Sequence, residues 1–200
     1  MLAYLVSTMD VHNAEAFKEY QSKVRTFVEK HGGRFIVRGG ERITLEGSWP
    51  AGRTIVVEFS GYSAVKAFVN DPEYAPIAAI RHAHSDSHVF IVEGVAEGSD
   101  RQDYGGYLLA SVAVEDPETY KGYAAQVPAV VEHYRGTFLA RGGRTEGVEG
   151  TPDPDRIVLI GFADTASVRR FHGASEYAPL IEIRHNASTG NVVAMEAYQP

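Results

Sequence analysis

Apolar and polar positions change period several times in the first hundred residues. Residues 2–9 are apolar enough for a buried strand. After Asn13, the residues Phe17, Tyr20, Val24, Phe27 and Val28 recur at spacings of three and four, which predicts an amphipathic helix capped by Asn13. Gly32-Gly33 ends it. Residues 34–38 and 54–59 are rich in β-branched and aromatic types and are expected as strands, with a hairpin-like excursion through 42–46 opened by Gly39-Gly40. Residues 63–70 and 74–84 have helical spacing, broken at Asp71-Pro72, and residues 88–93 supply a last strand. The order β-α-β-β-α-β is the ferredoxin-like split unit. Its antiparallel sheet carries both helices on one face and needs a cover on the other.

The pattern then starts again. At an offset of 103 residues the two halves align without a gap, with about 30 of roughly 92 positions identical. GRFIVRGG at 33–40 meets GTFLARGG at 136–143, Glu46-Gly47 meets Glu149-Gly150, and EYAP at 73–76 meets EYAP at 176–179. A period near one hundred marks a duplicated domain, because solenoid repeats are several times shorter. Residues 1–95 form the first repeat, 96–103 a polar linker and 104–200 the second repeat. The expected fold class is α+β, two ferredoxin-like repeats packed sheet to sheet as an intramolecular dimeric α/β barrel. The second copy opens its helix with Asp116-Pro117, a cap followed by proline at the first helical position. It departs at Pro128, which replaces Arg25 and is expected to kink or break the helix. Gly32, Asp10, Trp49 and Glu58 become Arg135, Ala113, Pro152 and Gly161, so two equal sites are not expected.

Composition narrows the function classes. The net charge of −7 disfavours nucleic acid and anionic membranes as partners. No apolar run is long enough to span a bilayer, and the first residues lack the basic and apolar regions of a secretory signal. The absence of cysteine excludes disulfides, thiolate nucleophiles and cysteine-based metal sites. A cytoplasmic protein that handles a small molecule is the expectation, pseudo-dimeric within one chain and with a homodimer of the fused chain left open.

The runs GGRFIVRGG with EG seven residues on, RTIVVEF, PEYAP followed by IR, and the closing VEG resemble the domain-of-unknown-function family 1330 of the dimeric α/β-barrel superfamily. The resemblance covers residues 3–95 and, less closely, 106–198. It implies a fold and a pocket but no agreed activity. The superfamily includes cofactor-independent monooxygenases, lactone isomerases, heme-handling enzymes and polyketide cyclases.

Candidate chemistry rests first on charges repeated in apolar settings. Arg38 and Arg141 end a strand before Gly-Gly, while Arg81 and Arg184 share a buried helical stripe with Ile77 and Leu180. Glu93 and Glu196 close the last strand on the inward parity of Val89 and Val192. Inward charges need partners, which predicts internal Arg–Glu pairs or an arginine left to receive an oxyanion. His84 falls on the face of Ile77, one turn from Arg81, and is a candidate general base. Tyr74 and its counterpart Tyr177 are candidates for a pocket rim where a phenol could donate to a substrate oxyanion, and His185 accompanies Arg184.

The segment His82, His84, Asp86, His88 offers ligand types that suit a metal, although the second copy keeps only His185 of these side chains. Glycine-rich nucleotide motifs and a G-x-S-x-G elbow are absent. The favoured expectation is a cofactor-independent enzyme of isomerase, cyclase, lyase or monooxygenase type. Its substrate would be small, largely apolar, and anionic or enolisable. The alternatives are a non-catalytic ligand-binding protein and a metal- or heme-dependent enzyme using residues 82–88.

Overall fold

The computed structural model describes residues 1–49, 52–96, 101–150 and 156–200. Residues 97–100 of the expected linker and Pro152 lie outside the described residues. The first repeat forms β1 (Ala3–Val11), α1 (Ala14–Lys30), β2 (Arg34–Arg38), β3 (Arg42–Glu46), β4 (Arg53–Phe59), α2 (Tyr62–Asn70), α3 (Tyr74–His84) and β5 (Ser85–Glu93). The second repeats the series as β6 (Gly106–Val114), α4 (Pro117–His133), β7 (Thr137–Arg141), β8 (Thr145–Glu149), β9 (Arg156–Phe162), α5 (Thr165–His172), α6 (Ala178–Ala187) and β10 (Ser188–Glu196).

The compact units do not coincide with the two repeats. Unit 1 comprises residues 1–39, 50–100 and 144–154, and unit 2 comprises 40–49, 101–143 and 155–200. The excursion at 42–46 is therefore no hairpin on its own sheet. Left-handed Gly39 (φ 70°) and Gly40 (φ 110°) turn the chain away, and β3 pairs with β10 of unit 2. In exchange β8 pairs with β5, giving the orders β2-β4-β1-β5-β8 and β3-β10-β6-β9-β7. A four-stranded ferredoxin-like sheet leaves its last strand as an open edge, and the donated strand satisfies that edge. All pairs are antiparallel.

Local chemistry explains the helices. Asn13 Oδ1 accepts from Ala16 N at 3.1 Å, and Asp116 Oδ1 accepts from the N–H groups of Glu118 and Thr119. Each long helix ends through one left-handed residue, Gly32 (φ 68°) in α1 and Arg135 (φ 56°) in α4. The next residue is glycine for a different reason. A Cβ at Gly33 or Gly136 would lie 2.8 or 2.6 Å from the ring of Phe59 or Phe162.

Pro128 does not break α4, which runs unbroken from Pro117 to His133. The proline leaves the carbonyl of Ala124 without its usual helical donor, and Arg141 Nη2 donates to that carbonyl instead. The helix faces then close on the sheets. In unit 1, Phe17, Tyr20, Val24, Phe27 and Val28 pack with Leu5, Val57, Phe59 and Ile91. Burying each large apolar side chain contributes roughly 1.5–3 kcal/mol. Among the described residues no helix is long and apolar enough to cross a membrane.

Candidate functional site

Alternation along β4 places Arg53 on the face of Ile55, Val57 and Phe59, the last two of which belong to the core beneath the helices. The same parity on β9 aligns Arg156 with Val158, Ile160 and Phe162. Each of these cations therefore begins a strand under the long helix of its unit. Arg53 Nη2 donates to the carbonyl of Arg38 at 3.2 Å, and Arg156 Nη2 is 3.4 Å from that of Arg141. The guanidinium lies over the following glycine. A Cβ at Gly39 would meet Arg53 at 2.8 Å and one at Gly142 would meet Arg156 at 2.3 Å, which accounts for the repeated Arg-Gly-Gly.

In unit 2 this arrangement opens a cavity of about 530 Å³, counted to its mouth. Leu108, Val112, Val127, Phe138, Ile160 and Phe171 give it apolar walls, and the polar side chains facing it are Tyr120, Tyr123, Tyr177, Arg141, Arg156 and Arg184. Arg156 Cζ sits 5.4 Å from the centre of the Tyr120 ring, and its Nε is buried without a hydrogen-bond partner. Tyr123 and Tyr177 share a hydrogen bond of 3.0 Å. Burial pushes the Tyr123 phenol far above its usual range, helped by Tyr177. Burial also raises Tyr177, with Arg184 pulling the other way. Both are neutral donors near pH 7.

Unit 1 holds the equivalent cavity, smaller at about 300 Å³ and lined by Met9, Phe17, Tyr20, Gln21, Val24, Phe35, Arg38, Arg53 and Ile55. Arg53 Nε is again buried without a hydrogen-bond partner. Arg38 and Arg141 stack on Phe35 and Phe138 at 4.5 and 4.7 Å, and each donates to a carbonyl of the long helix.

Behind the cavities stand two carboxylate clamps, each built on the exchanged strand. Glu46 on β3 accepts two bonds from Arg184 Nη2 (2.6 and 2.7 Å), one from His172 Nε2 (2.6 Å) and one from His185 Nε2 (2.8 Å). Glu149 on β8 accepts from Arg81 (2.7 and 2.8 Å) and lies 3.0 Å from His82 Nε2. Burial alone would raise the Glu46 carboxyl, but hydrogen bonds from His172, Arg184 and His185 hold it well below the usual range. Burial likewise opposes the lowering of Glu149, and Arg81 outweighs it.

The predicted residues separate on this frame. Arg38, Arg141, Arg184 and Tyr177 line a cavity. Arg81 is 1% exposed, held by Glu149 and Ser87 Oγ, and lines neither cavity. Tyr74 is not at a rim, because its ring is packed against Phe27 and Phe68 at 5.7 and 4.6 Å. His84 is half-buried at the last turn of α3 and lines neither cavity, since the chain changes from helix to strand at Ser85. His185 points to Glu46, half-exposed.

Glu93 and Glu196 are not the partners of these arginines. Glu196 is exposed at the end of β10, with Oε2 3.4 Å from Glu41 N, and the exchanged Glu46 and Glu149 take that role. Nor do His82, His84, Asp86 and His88 converge. His82 pairs with Glu149 and Asp86 with His12, and among the described residues no three His, Asp or Glu side chains are grouped to hold a metal. Glu46, Glu149, Arg53, Arg156 and Tyr120 are added by the structure, and each of the four charged residues aligns with an identical residue of the other repeat.

A family model for the domain of unknown function DUF1330 matches residues 2–95 and again residues 105–198. The chain belongs to the DUF1330 family. This DUF1330 tandem has no match among curated proteins. Among solved structures, a candidate monooxygenase of Lactobacillus acidophilus NCFM is 11% identical with a TM-score of 0.56, the match covering 98% of this chain and 93% of that one. A candidate chlorite dismutase is 9% identical at a TM-score of 0.61, covering 98% and 95%. A chlorite dismutase variant of Candidatus Nitrospira defluvii is 10% identical at 0.57, covering 99% and 92%. At such identities the likeness shows a shared fold.

Because that fold includes heme proteins, the cavities were compared with what a heme needs. Heme iron is held by His, Cys, Met or Tyr. The larger cavity of the DUF1330 tandem is lined by no His, Cys or Met, and burial keeps its Tyr123 and Tyr177 from the phenolate form. The smaller one has Met9 but only about 300 Å³ of space. The donor sets do not fit a heme.

Proposed function

We propose that the unit 2 cavity takes up a small, largely apolar acid and that the protein transforms it without a cofactor, stabilising negative charge on a substrate oxygen. One observation carries this reading: Arg156 brings a buried, unspent Nε–H into an apolar cavity whose lining includes no carboxylate. An unpaired buried donor costs on the order of 1–3 kcal/mol, and an oxyanion ligand would satisfy it. The neutral phenols of Tyr123 and Tyr177 can donate to the same oxygen. Apolar walls that exclude water strengthen both contacts.

The lining supplies cations and acids but no imidazole or carboxylate base. The reactions that suit it begin from a substrate that enters already ionised, as a carboxylate, phenolate or enolate. Isomerisation, cyclisation or direct oxygenation of an enolate falls within this class.

The test has two stages. Native mass spectrometry of the purified protein looks for a retained organic acid, and titration with 2-naphthoate measures binding directly. Arg156→Leu is expected to weaken 2-naphthoate roughly ten- to hundredfold, the worth of a hydrogen bond to a charged group. Unchanged affinity in that variant would overturn the reading. With the retained acid as substrate, Tyr177→Phe is expected to keep binding and lose turnover. Equal turnover in Tyr177→Phe and the parent removes the phenol from the chemistry.

A further inference from the structure

We infer that unit 1 carries a second, independent anion site, the cavity under α1, selective for a shorter apolar carboxylate than unit 2 accepts. It goes beyond the proposal for unit 2 and does not depend on it. The cavity is built rather than incidental. Phe35, Arg38, Arg53, Tyr20 and Val24 stand at the positions of Phe138, Arg141, Arg156, Tyr123 and Val127.

Arg53 is fixed from behind, its Nη2 on the carbonyl of Arg38 and its guanidinium against the left-handed Gly39, where a Cβ could not fit. That anchoring leaves Nε buried with no hydrogen-bond partner, on a residue lining a cavity whose lining holds no carboxylate. A planar guanidinium with an open N–H in apolar surroundings selects a carboxylate over a neutral polar group. The size limit comes from two substitutions. Met9 and Gln21 occupy the places of Val112 and Ala124, and the space falls from about 530 to about 300 Å³. Gln21 adds an amide at the wall that can bond the second carboxylate oxygen.

The reporter is built in. The chain has three methionines, and of these Met9 alone lines this cavity while none lines that of unit 2. Protein labelled with carbon-13 at the methionine methyls is titrated with benzoate and followed by NMR. The Met9 signal should shift and saturate, with the signals of Met1 and Met195 still. In Arg53→Leu the affinity read at Met9 should fall roughly tenfold or more. In Arg156→Leu the Met9 response should be unchanged, so this site is judged whether or not unit 2 binds anything.

A stationary Met9 signal or a linear drift without saturation overturns the inference, as does an unaltered response in Arg53→Leu or a response lost in Arg156→Leu. If Arg53→Leu does not fold, Ile55→Phe serves in its place. It fills the cavity, keeps both arginines, and should abolish the Met9 response; a preserved response again overturns the site.

Discussion

Under α1, Met9 and Gln21 stand where Val112 and Ala124 stand under α4, and Phe17 stands where unit 2 has Tyr120. Around these three positions the two cavities keep the same arginines, the same stacked phenylalanine and the same valine. Their supports differ as well. Glu46 is held by Arg184, His185 and His172, whereas Glu149 is held by Arg81 and His82, because Val69 occupies the place of His172. Where Glu58 pairs with Arg34 in unit 1, unit 2 has Gly161, with the Tyr104 ring in the space a side chain would fill. Duplication preserved the cationic frame and let the walls drift. Charge in this fold is fixed by geometry that tolerates no substitution, while volume is adjustable one side chain at a time.

The largest expected effect tests the clamps against each other. Glu46→Ala strands a guanidinium that is 4% exposed, and Glu149→Ala strands one that is 1% exposed. Breaking a buried pair by removing one partner costs about 3–5 kcal/mol. Glu46→Ala is expected at the upper end, since Glu46 has three partners and is 11% exposed; Glu149, at 24%, is expected at the lower end. Urea unfolding of both variants measures the difference. Equal losses would show that His172 adds nothing to the clamp.

The same pair predicts the acid limb of stability. Both carboxyls titrate below their ordinary range in the folded state. A depressed carboxyl contributes stability that is present above its unfolded value, about 4.3 for glutamate, and is lost as pH falls toward the folded one. Urea midpoints should therefore drop steadily from about pH 5 downward. Glu46→Gln should start lower at neutral pH and lose less on acidification. A variant with the parent's acid slope would show that other carboxylates govern this limb.

How much of this was legible in the sequence can be argued residue by residue. The elements were, because helical spacing, caps and β-branched runs are local signals, and the second copy repeats them. The exchange of β3 and β8 was not. Residues 42–46 have strand composition, but nothing local says which edge they will complete. The partners of Arg81 and Arg184 were consequently sought at Glu93 and Glu196, close in the expected sheet, instead of at Glu149 and Glu46. Arg53 and Arg156 carried a usable signal, the parity of Ile55, Val57 and Phe59 and the identity between repeats. It is lost if the strand is begun one residue late, at 54. His84 shows the opposite failure: its helical parity with Ile77 was right, but it stands at the helix's last residue, where parity no longer sets direction.

Exchanging the walls sharpens the comparison of the cavities. Ala124→Gln with Val112→Met should close the unit 2 cavity to 2-naphthoate, and Gln21→Ala with Met9→Val should open unit 1 to it. Either change is read as a loss or gain of roughly tenfold or more in affinity, the scale on which a filled pocket excludes a ligand group. If both pairs leave binding as it was, size is set elsewhere, and the three positions that distinguish the cavities do not decide selectivity.

The smallest effect lies at the ends of the long helices, where both units need a left-handed residue and only one has glycine. Arg135 adopts φ 56° at the position of Gly32, φ 68°. A residue with a Cβ costs roughly 1–2 kcal/mol in this region, while glycine loses more freedom on folding, which returns part of that gain. Arg135→Gly is expected to raise stability by about 0.5–1 kcal/mol, and Gly32→Ala to lower it by about 1 kcal/mol. At Gly32 an added Cβ would meet nothing within 4 Å, so the backbone alone is tested there. Urea midpoints of the two variants should move in opposite directions. A loss in Arg135→Gly would mean that the arginine side chain contributes more than its backbone strain costs, and that the second repeat kept Arg135 for what it touches.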